Sequence, residues 1–454
     1  MTRSTTTRIE RLELTNFRMF ARLTIELHPE LTVLVAPNGC GKTTILDALA
    51  QALKPLADVL AGAPHRSLWQ SGDVRRARAP DGRMAAVLPS LVSVDAEIVG
   101  RPVSWQQHRR TLLTHPSWSG ARPLRNLATT LHDALIRSLE EPGVVPAEVP
   151  VLPVLVYHGS GRRWPPFLSG PLKPVLKDSG PLGAFEASFK VDNAFHLFQD
   201  WFFRHWFQVQ ADGDRTEPPV VRRRQQVAAV VRALNVALEP TGWRDPRWNV
   251  TDGHTLELSH SRFGTLPVNL MSDGIRGIVA IVGDLAMRCA MLNSHLGEHA
   301  AEQSPGIVLI DEVDLHLHPD WQQVVLGTLR ASFPAVQLIV TTHSPQVVST
   351  AHRESIRIIG PEGQVDVPDL QTRGVESAAV LAEVMGVDPV PPLDESRLVM
   401  DYQALIEQGQ AGTPHAERMR QQVNEHFGPS HPVVLECERL VRWQSFKLAR
   451  EARA

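Results

Sequence analysis

The stretch from Leu31 to Ala50 reads LTVLVAPNGCGKTTILDALA, and its reading decides the fold. Leu31 to Val35 is a run of aliphatic and β-branched side chains, the pattern of a buried strand. A tight loop follows, Ala36 to Thr43, and from Thr44 to Leu53 the apolar residues Ile45, Leu46, Leu49 and Leu53 recur at helical spacing. Strand, glycine loop, Lys-Thr and helix make a P-loop. In such a loop the backbone amides of Asn38, Gly39, Cys40 and Gly41 and the positive helix end at Thr44 can cradle the β-phosphate of a nucleotide. Lys42 adds a point charge on the β/γ oxygens, and the Thr43 hydroxyl is placed to ligate Mg²⁺. The usual first glycine is replaced by Ala36. A plain glycine turn would leave Lys42 and Thr43 unexplained.

The chain has 454 residues, enough for a large core and two or three sub-domains. Its net charge of −3 argues against a polyanion partner for the whole surface, though a local basic groove stays open. Only six lysines occur, the other forty basic residues being arginine. The three cysteines, Cys40, Cys289 and Cys437, are far apart, which suggests a reducing compartment, a cytoplasmic location and no zinc site. No apolar run is long enough for a membrane span and no apolar leader begins the chain, so no membrane association is expected. No long heptad run is visible.

Upstream of the loop, Arg8 to Phe20 and Arg22 to Leu27 read as strands joined by a turn carrying Asn16-Phe17-Arg18. Arg18 either reaches a bound nucleotide or is a solvated turn arginine. Leu91 to Val99 and Pro102 to His108 read as a hairpin, and Leu124 to Leu139 as a helix. A short strand begins at Val154 and ends in the polar segment Tyr157 to Trp164, a second candidate loop on the phosphate side. Phe185 to Gln210 carries aromatics at helical spacing and reads as a core helix. Val220 to Leu238 is a second helix, with Arg222, Arg223 and Arg224 at its start as a candidate DNA contact.

Ser272 sits at the N-cap of a helix beginning SDGIRG. Ile307 to Ile310 forms a fully buried parallel strand that ends in Asp311-Glu312. Asp311 is placed to hold the Mg²⁺ shell and Glu312 to polarise the attacking water. Val336 to Val340 is another buried strand, ending in Thr341-Thr342-His343-Ser344-Pro345, where His343 can donate to the γ-phosphate. From Leu370 onward the pattern is helical: 375–385, 395–407, 416–427 and 433–450.

The pieces NFRMF, APNGCGKTT, LMSDGIRG, LIDEVDLHLHP and TTHSP, in that order over Arg8 to Val348, resemble the ATPase heads of the ABC superfamily in its RecF/SMC branch. Within that branch the chain is most similar to compact ATPases without a long coiled coil, those of Septu-type and retron-associated antiphage systems. The resemblance implies an α/β P-loop head with a mixed sheet, a helical lid and a C-terminal helical extension. The expected divisions are 1–183 for a first ATPase lobe, 184–240 for the lid, 241–366 for a second lobe, and 367–454 for a docking or assembly region. It implies Glu312, His343 and Lys42 as catalytic residues, with Thr43 and Asp311 on the metal. Ser272, Asp273 and Gly274 become a signature that contacts the γ-phosphate of the opposite copy in a head-to-tail dimer, and Asp314 falls in a loop crossing that interface. Met271 before the signature departs from the family pattern, and no Gln loop is identifiable; the segment Tyr157 to Arg163 is its candidate replacement. The expected partners are a second copy, a separately encoded nuclease and DNA. Two rival functions follow from the same motifs: a RecF-like ATPase clamping duplex DNA, and a nucleotide-gated scaffold with little turnover.

Overall fold

The computed structural model describes residues 6–64, 67–113, 117, 119–140, 149–161, 180–185, 188–189, 194–249 and 255–451. The chain divides into two compact units, Met1–Val380 and Leu381–Ala454.

The first unit opens with strands β1 (Arg8–Phe17) and β2 (Phe20–Glu26), antiparallel about a turn in which Asn16 and Arg18 hold left-handed backbone at φ 49° and 47°. A register shift between Ile9 and Arg11 lets both Ile9 and Leu12 face the core. Strand β3 (Leu31–Val35) is buried along its whole length, and helix α1 (Lys42–Leu60) follows the P-loop. The helical pattern was expected to end at Leu53, yet α1 continues through Pro55. A proline there frees the carbonyl four residues earlier. That carbonyl, on Gln51, accepts Gln107 Nε2 at 3.0 Å, and the next one, on Ala52, accepts Trp105 Nε1 at 3.0 Å. Side chains from a neighbouring strand thus complete the helix.

A small hairpin, β4 (Arg76–Arg78) and β5 (Met84–Ala86), precedes β6 (Ser90–Ile98) and β7 (Arg101–Arg109), which extend the first sheet in the order β2-β1-β6-β7. Helix α2 (Arg122–Glu140) packs on α1, and β8 (Val154–His158) enters the central sheet. The segment expected as a lid supplies α3 (Ala194–Asp212) and α4 (Pro218–Leu238); both pack on α5 (Asp273–Leu292). The contact is tight: a Cβ at Gly283 of α5 would lie 2.6 Å from the Phe198 ring. Phe198, Trp201 and Phe202 are buried, as a core helix requires, while Phe207 is exposed. Between α4 and α5 lies the antiparallel sheet of β9 (Trp243–Asn249), β10 (Thr255–His260) and β11 (Gly264–Pro267).

After the short α6 (Ala300–Gln303), β12 (Gly306–Ile310) is wholly buried. The sequence after β12 reads as one helix with Pro319 as its first residue, continuing from Asp320 to Ala331. The structure breaks it into α7 (Pro319–Gln322), which has Pro319 in its first turn, and α8 (Val325–Ser332). Strand β13 (Val336–Thr341), the short α9 (Pro345–Val348), β14 (Ile356–Ile359) and β15 (Val365–Asp366) complete the sheet. The central order is β15-β14-β3-β13-β12-β8, with every pair parallel except β14–β15. The expected α/β class with a mixed sheet is what the structure shows. Gln337 of β13, almost fully buried, ties this sheet to the first one. Its amide accepts the Ile9 N–H at 2.8 Å and donates to the carbonyls of Ile9 and His28 at 2.8 and 2.9 Å. Helix α10 (Ser377–Glu383) spans the boundary to the second unit.

That second unit contains α11 (Asp394–Glu407), α12 (Pro414–Phe427) and α13 (Pro432–Glu451). They close over their own core of Tyr402, Ile406, Ala416, Met419, Val423, Val434 and Cys437. Leu440 and Val441 pack against that core, whereas Leu435, Trp443 and Phe446 are exposed.

Candidate nucleotide-binding site

Three parallel strands, β3, β13 and β12, deliver their carboxyl ends to one place, where an α/β sheet gathers its ligands. A cleft of 290 Å³ lies there, lined by Met19, Asn38, Gly39, Gly41, Lys42, Thr43, Thr44, Asp311, Glu312 and His343. Nearly all the residues read from the P-loop and the two strand ends therefore come together. Cys40 does not line the cleft; it is buried, and its amide donates to the Pro37 carbonyl at 3.3 Å.

The loop's shape depends on two glycines. Gly39 and Gly41 hold φ 80° and 86°, a left-handed backbone that favours residues without a Cβ. At Gly41 space is a second requirement, since a Cβ there would come within 2.4 Å of the Phe20 ring. Ala36, by contrast, is not among the left-handed positions, so replacing the usual glycine costs no backbone strain. Lys42 Nζ donates to the carbonyls of Ala36 and Pro37 at 2.8 and 3.4 Å. Burial pulls its ammonium below the usual lysine value, opposed by Cys40 and by the carboxylates of Asp311, Glu312 and Asp314.

Across the cleft, Thr43 Oγ1 donates to Asp311 Oδ2 at 3.0 Å, joining residues 268 positions apart. Asp311 is almost fully buried, and its amide donates to the His158 carbonyl at 2.8 Å. Glu312 is half-buried with φ 48°, a left-handed conformation unusual for a side-chain-bearing residue. His343 is exposed where β13 ends. A hydroxyl beside a buried carboxylate on the floor of an amide-lined loop is the donor set a Mg²⁺–phosphate group takes, so Thr43 and Asp311 fit the metal. Among the described residues no group of three His, Cys, Asp or Glu is arranged to hold a metal by itself.

Arg18 does not line the cleft. Its guanidinium bridges Asp47 Oδ2 at 2.5 Å and Asp73 Oδ1 at 2.8 Å, and the neighbouring Met19 is the residue that faces the site. Tyr157 reaches the same aspartate, its hydroxyl donating to Asp47 Oδ1 at 2.9 Å; burial, chiefly, raises its pKa. The rest of the candidate second loop, from Arg162 on, lies outside the described residues.

Ser272, Asp273 and Gly274 are not part of the cleft. Ser272 is the N-cap of α5, but its hydroxyl makes no capping bond, and Asp273 pairs with Arg276 on the surface. Gly274 is buried beside the His316 carbonyl, 3.3 Å from where its Cβ would be. Asp314 is drawn inward by Thr342 Oγ1, which donates to its Oδ1 at 2.6 Å. In the arginine triplet, Arg223 pairs with Asp212 and Arg224 donates to the Gly213 carbonyl.

Sequence reasoning missed Met19 and Thr341. Thr341 stands in the TTHSP run, but its partners lie on another strand, and nothing local distinguishes it from Thr342.

Comparison with known proteins finds relatives for two stretches of the chain. Residues 11–58 match a family model described as an AAA domain. Residues 187–349 match one described as "AAA domain, putative AbiEii toxin, Type IV TA system". The chain is 35% identical over 175 residues to "Retron Ec83 probable ATPase" of Escherichia coli, covering 38% of this chain and 32% of that protein. It is 30% identical over 151 residues to "Septu protein PtuA" of Bacillus thuringiensis, covering 32% and 37%. A shorter match, 37% over 93 residues, joins it to "DNA replication and repair protein RecF" of Brucella abortus, covering 20% and 22%. Among solved structures, an Smc head bound to the C-winged helix domain of ScpA aligns with TM-score 0.47 and 18% identity, covering 80% of this chain and 98% of that one. The sheet and loop define an α/β P-loop domain, the family models and curated relatives give it kin among ATPases, and the resemblance to retron ATPases and Septu proteins read from the motifs is borne out. The chain spans about a third of the length of the retron and Septu relatives it matches.

Proposed function

We propose that the chain is an ABC-type ATPase whose site is the Lys42 cleft. The observation that carries this reading is the Thr43–Asp311 contact, which joins the phosphate loop to the acidic pair at one point. ATP is the substrate. Loop amides and Lys42 would hold its phosphates, Thr43 and Asp311 would hold Mg²⁺, Glu312 would take the proton of the attacking water, and His343 would donate to the γ-phosphate. Bound there, Mg²⁺ neutralises phosphate charge. Two copies associate head to tail, each presenting Ser272 to Gly274 to the other's nucleotide. The bare Ser272 hydroxyl and the exposed end of α5 support that role. By likeness to the retron and Septu ATPases, the dimer regulates a separately encoded nuclease from a cytoplasmic complex.

A complementation assay tests the dimer. Lys42→Ala and Ser272→Arg should each abolish turnover alone. Mixed, they form heterodimers with one intact composite site, and roughly a quarter of wild-type activity should return. No recovery on mixing, with both variants folded and associating, would rule out the shared site. Affinity purification from the native locus tests the partner, a stoichiometric nuclease being expected. The RecF match favours a second reading, a DNA clamp, which requires salt-dependent duplex binding by the isolated protein.

A further inference from the structure

Strand β13 lies between the P-loop strand β3 and the acidic-pair strand β12. Its last residue, Thr341, is fully buried. The Thr341 hydroxyl donates to Asp311 Oδ1 at 2.6 Å and accepts the Glu312 amide at 2.7 Å. Its carbonyl accepts the Val313 amide at 2.9 Å. One residue therefore grips three consecutive positions at the end of β12. With Oδ1 engaged, the other Asp311 oxygen is the one that meets Thr43. Glu312 holds a left-handed backbone that a non-glycine residue adopts only when its surroundings impose it, and the bond to its amide is such a constraint.

We propose that Thr341 is a positioning residue of this site: its hydroxyl turns Asp311 Oδ2 toward Thr43 and fixes the Glu312 backbone, aiming that carboxylate into the cleft. The proposal rests on the ATPase reading above. It assigns the hydroxyl, not the methyl group, as the working part, because both bonds come from Oγ1. A hydroxyl supplies one proton and spare lone pairs, so it serves a carboxylate and an amide at once, which neither a valine nor an alanine can do.

The test compares Thr341→Val, which keeps the branched shape, with Thr341→Ser, which keeps the hydroxyl. Three quantities are read in the full chain: kcat, ATP affinity in EDTA, and the Mg²⁺ concentration at half-maximal nucleotide binding. For Thr341→Val, kcat should fall roughly 10- to 100-fold and the Mg²⁺ midpoint should rise roughly 10-fold. Its ATP affinity in EDTA should stay within about twofold of wild type, and Thr341→Ser should stay within about threefold throughout. Wild-type turnover by Thr341→Val overturns the proposal. So does a Thr341→Ser variant as poor as Thr341→Val, since packing would then explain the loss. Loss of ATP binding in EDTA by Thr341→Val also counts against it, as general damage to the loop. If the wild-type protein shows no turnover, the ATPase reading falls, while the Mg²⁺ midpoints still decide whether Thr341 sets Asp311.

Discussion

At the scale of single residues, the site is a set of constraints that each fail in a recognisable way. Gly41 combines a left-handed backbone with a Cβ position blocked by Phe20. Gly41→Ala should therefore destabilise the protein by about 1–3 kcal/mol, read by urea unfolding, and weaken ATP binding as well. Unchanged stability would mean that Phe20 and Met19 yield freely. His28 offers a pH test. Its Nδ1 accepts the amides of Glu30 and Leu31 at 3.3 and 3.4 Å, which needs the neutral ring. Burial, helped by Arg357 and Arg330 and opposed by Glu30 and Glu354, holds its pKa below the ordinary histidine value. The unfolded chain then takes up a proton that the native state resists, so this contribution to stability is full above about pH 6.5 and is lost as pH falls from there through the lower value of the folded state. His28→Gln should flatten the fall in Tm between neutral pH and pH 5; an unchanged slope would assign the acid sensitivity elsewhere. The P-loop and strand-end positions that line the cleft were legible at this scale because each stands in an unbroken local run. Thr341 was not, because its bonds cross between strands thirty residues apart in the chain. Nor was the Arg18 bridge to Asp47 and Asp73, which depends on where α1 passes the first turn.

At the scale of elements, burial pattern located the central strands almost to the residue. β3, β12 and β13 are apolar runs covered on both faces, and such runs have one reading between glycine and polar punctuation. The ends of helices were less legible. The apolar spacing of the first helix runs out at Leu53, but α1 continues through Pro55 because Gln107 and Trp105 supply the missing partners from β7. Nothing in the α1 sequence announces that help. The tie between the two sheets is similar. Gln337 sits in a strand that is aliphatic at all its other positions except the last, Thr341, and satisfies three backbone groups. Gln337→Ala leaves those groups without their partner and should cost about 3 kcal/mol of stability. A loss below about 1 kcal/mol would show that water or a shift of β1 replaces it.

At the scale of the whole molecule, the chain carries two cores, and each can be tested separately. Deleting residues 433–454 removes Val434 and Cys437 from the second unit's core along with the exposed Trp443 and Phe446. Nucleotide binding by Met1–Val380 should persist, read by ATP titration, while recovery of the partner is lost. Collapse of ATP binding would make that segment part of the ATPase core. Among the described residues no helix is long and apolar enough to cross a membrane. The order of the motifs along the chain, rather than any one of them, made the overall class legible, since each strand end is an independent requirement of the same site. The helices packed on α5 were harder to place, because an aromatic stripe says that a face is covered and not by what.

The central claim is that Glu312 drives hydrolysis of ATP held by Lys42, and the most direct measurement is phosphate release by the wild-type protein and Glu312→Gln, with bound nucleotide identified after desalting. Wild-type turnover is expected, with a loss of roughly 100-fold or more in the variant and intact ATP retained by a dimeric Glu312→Gln. Equal phosphate release by the two proteins, or a variant that neither hydrolyses nor retains ATP, would contradict it.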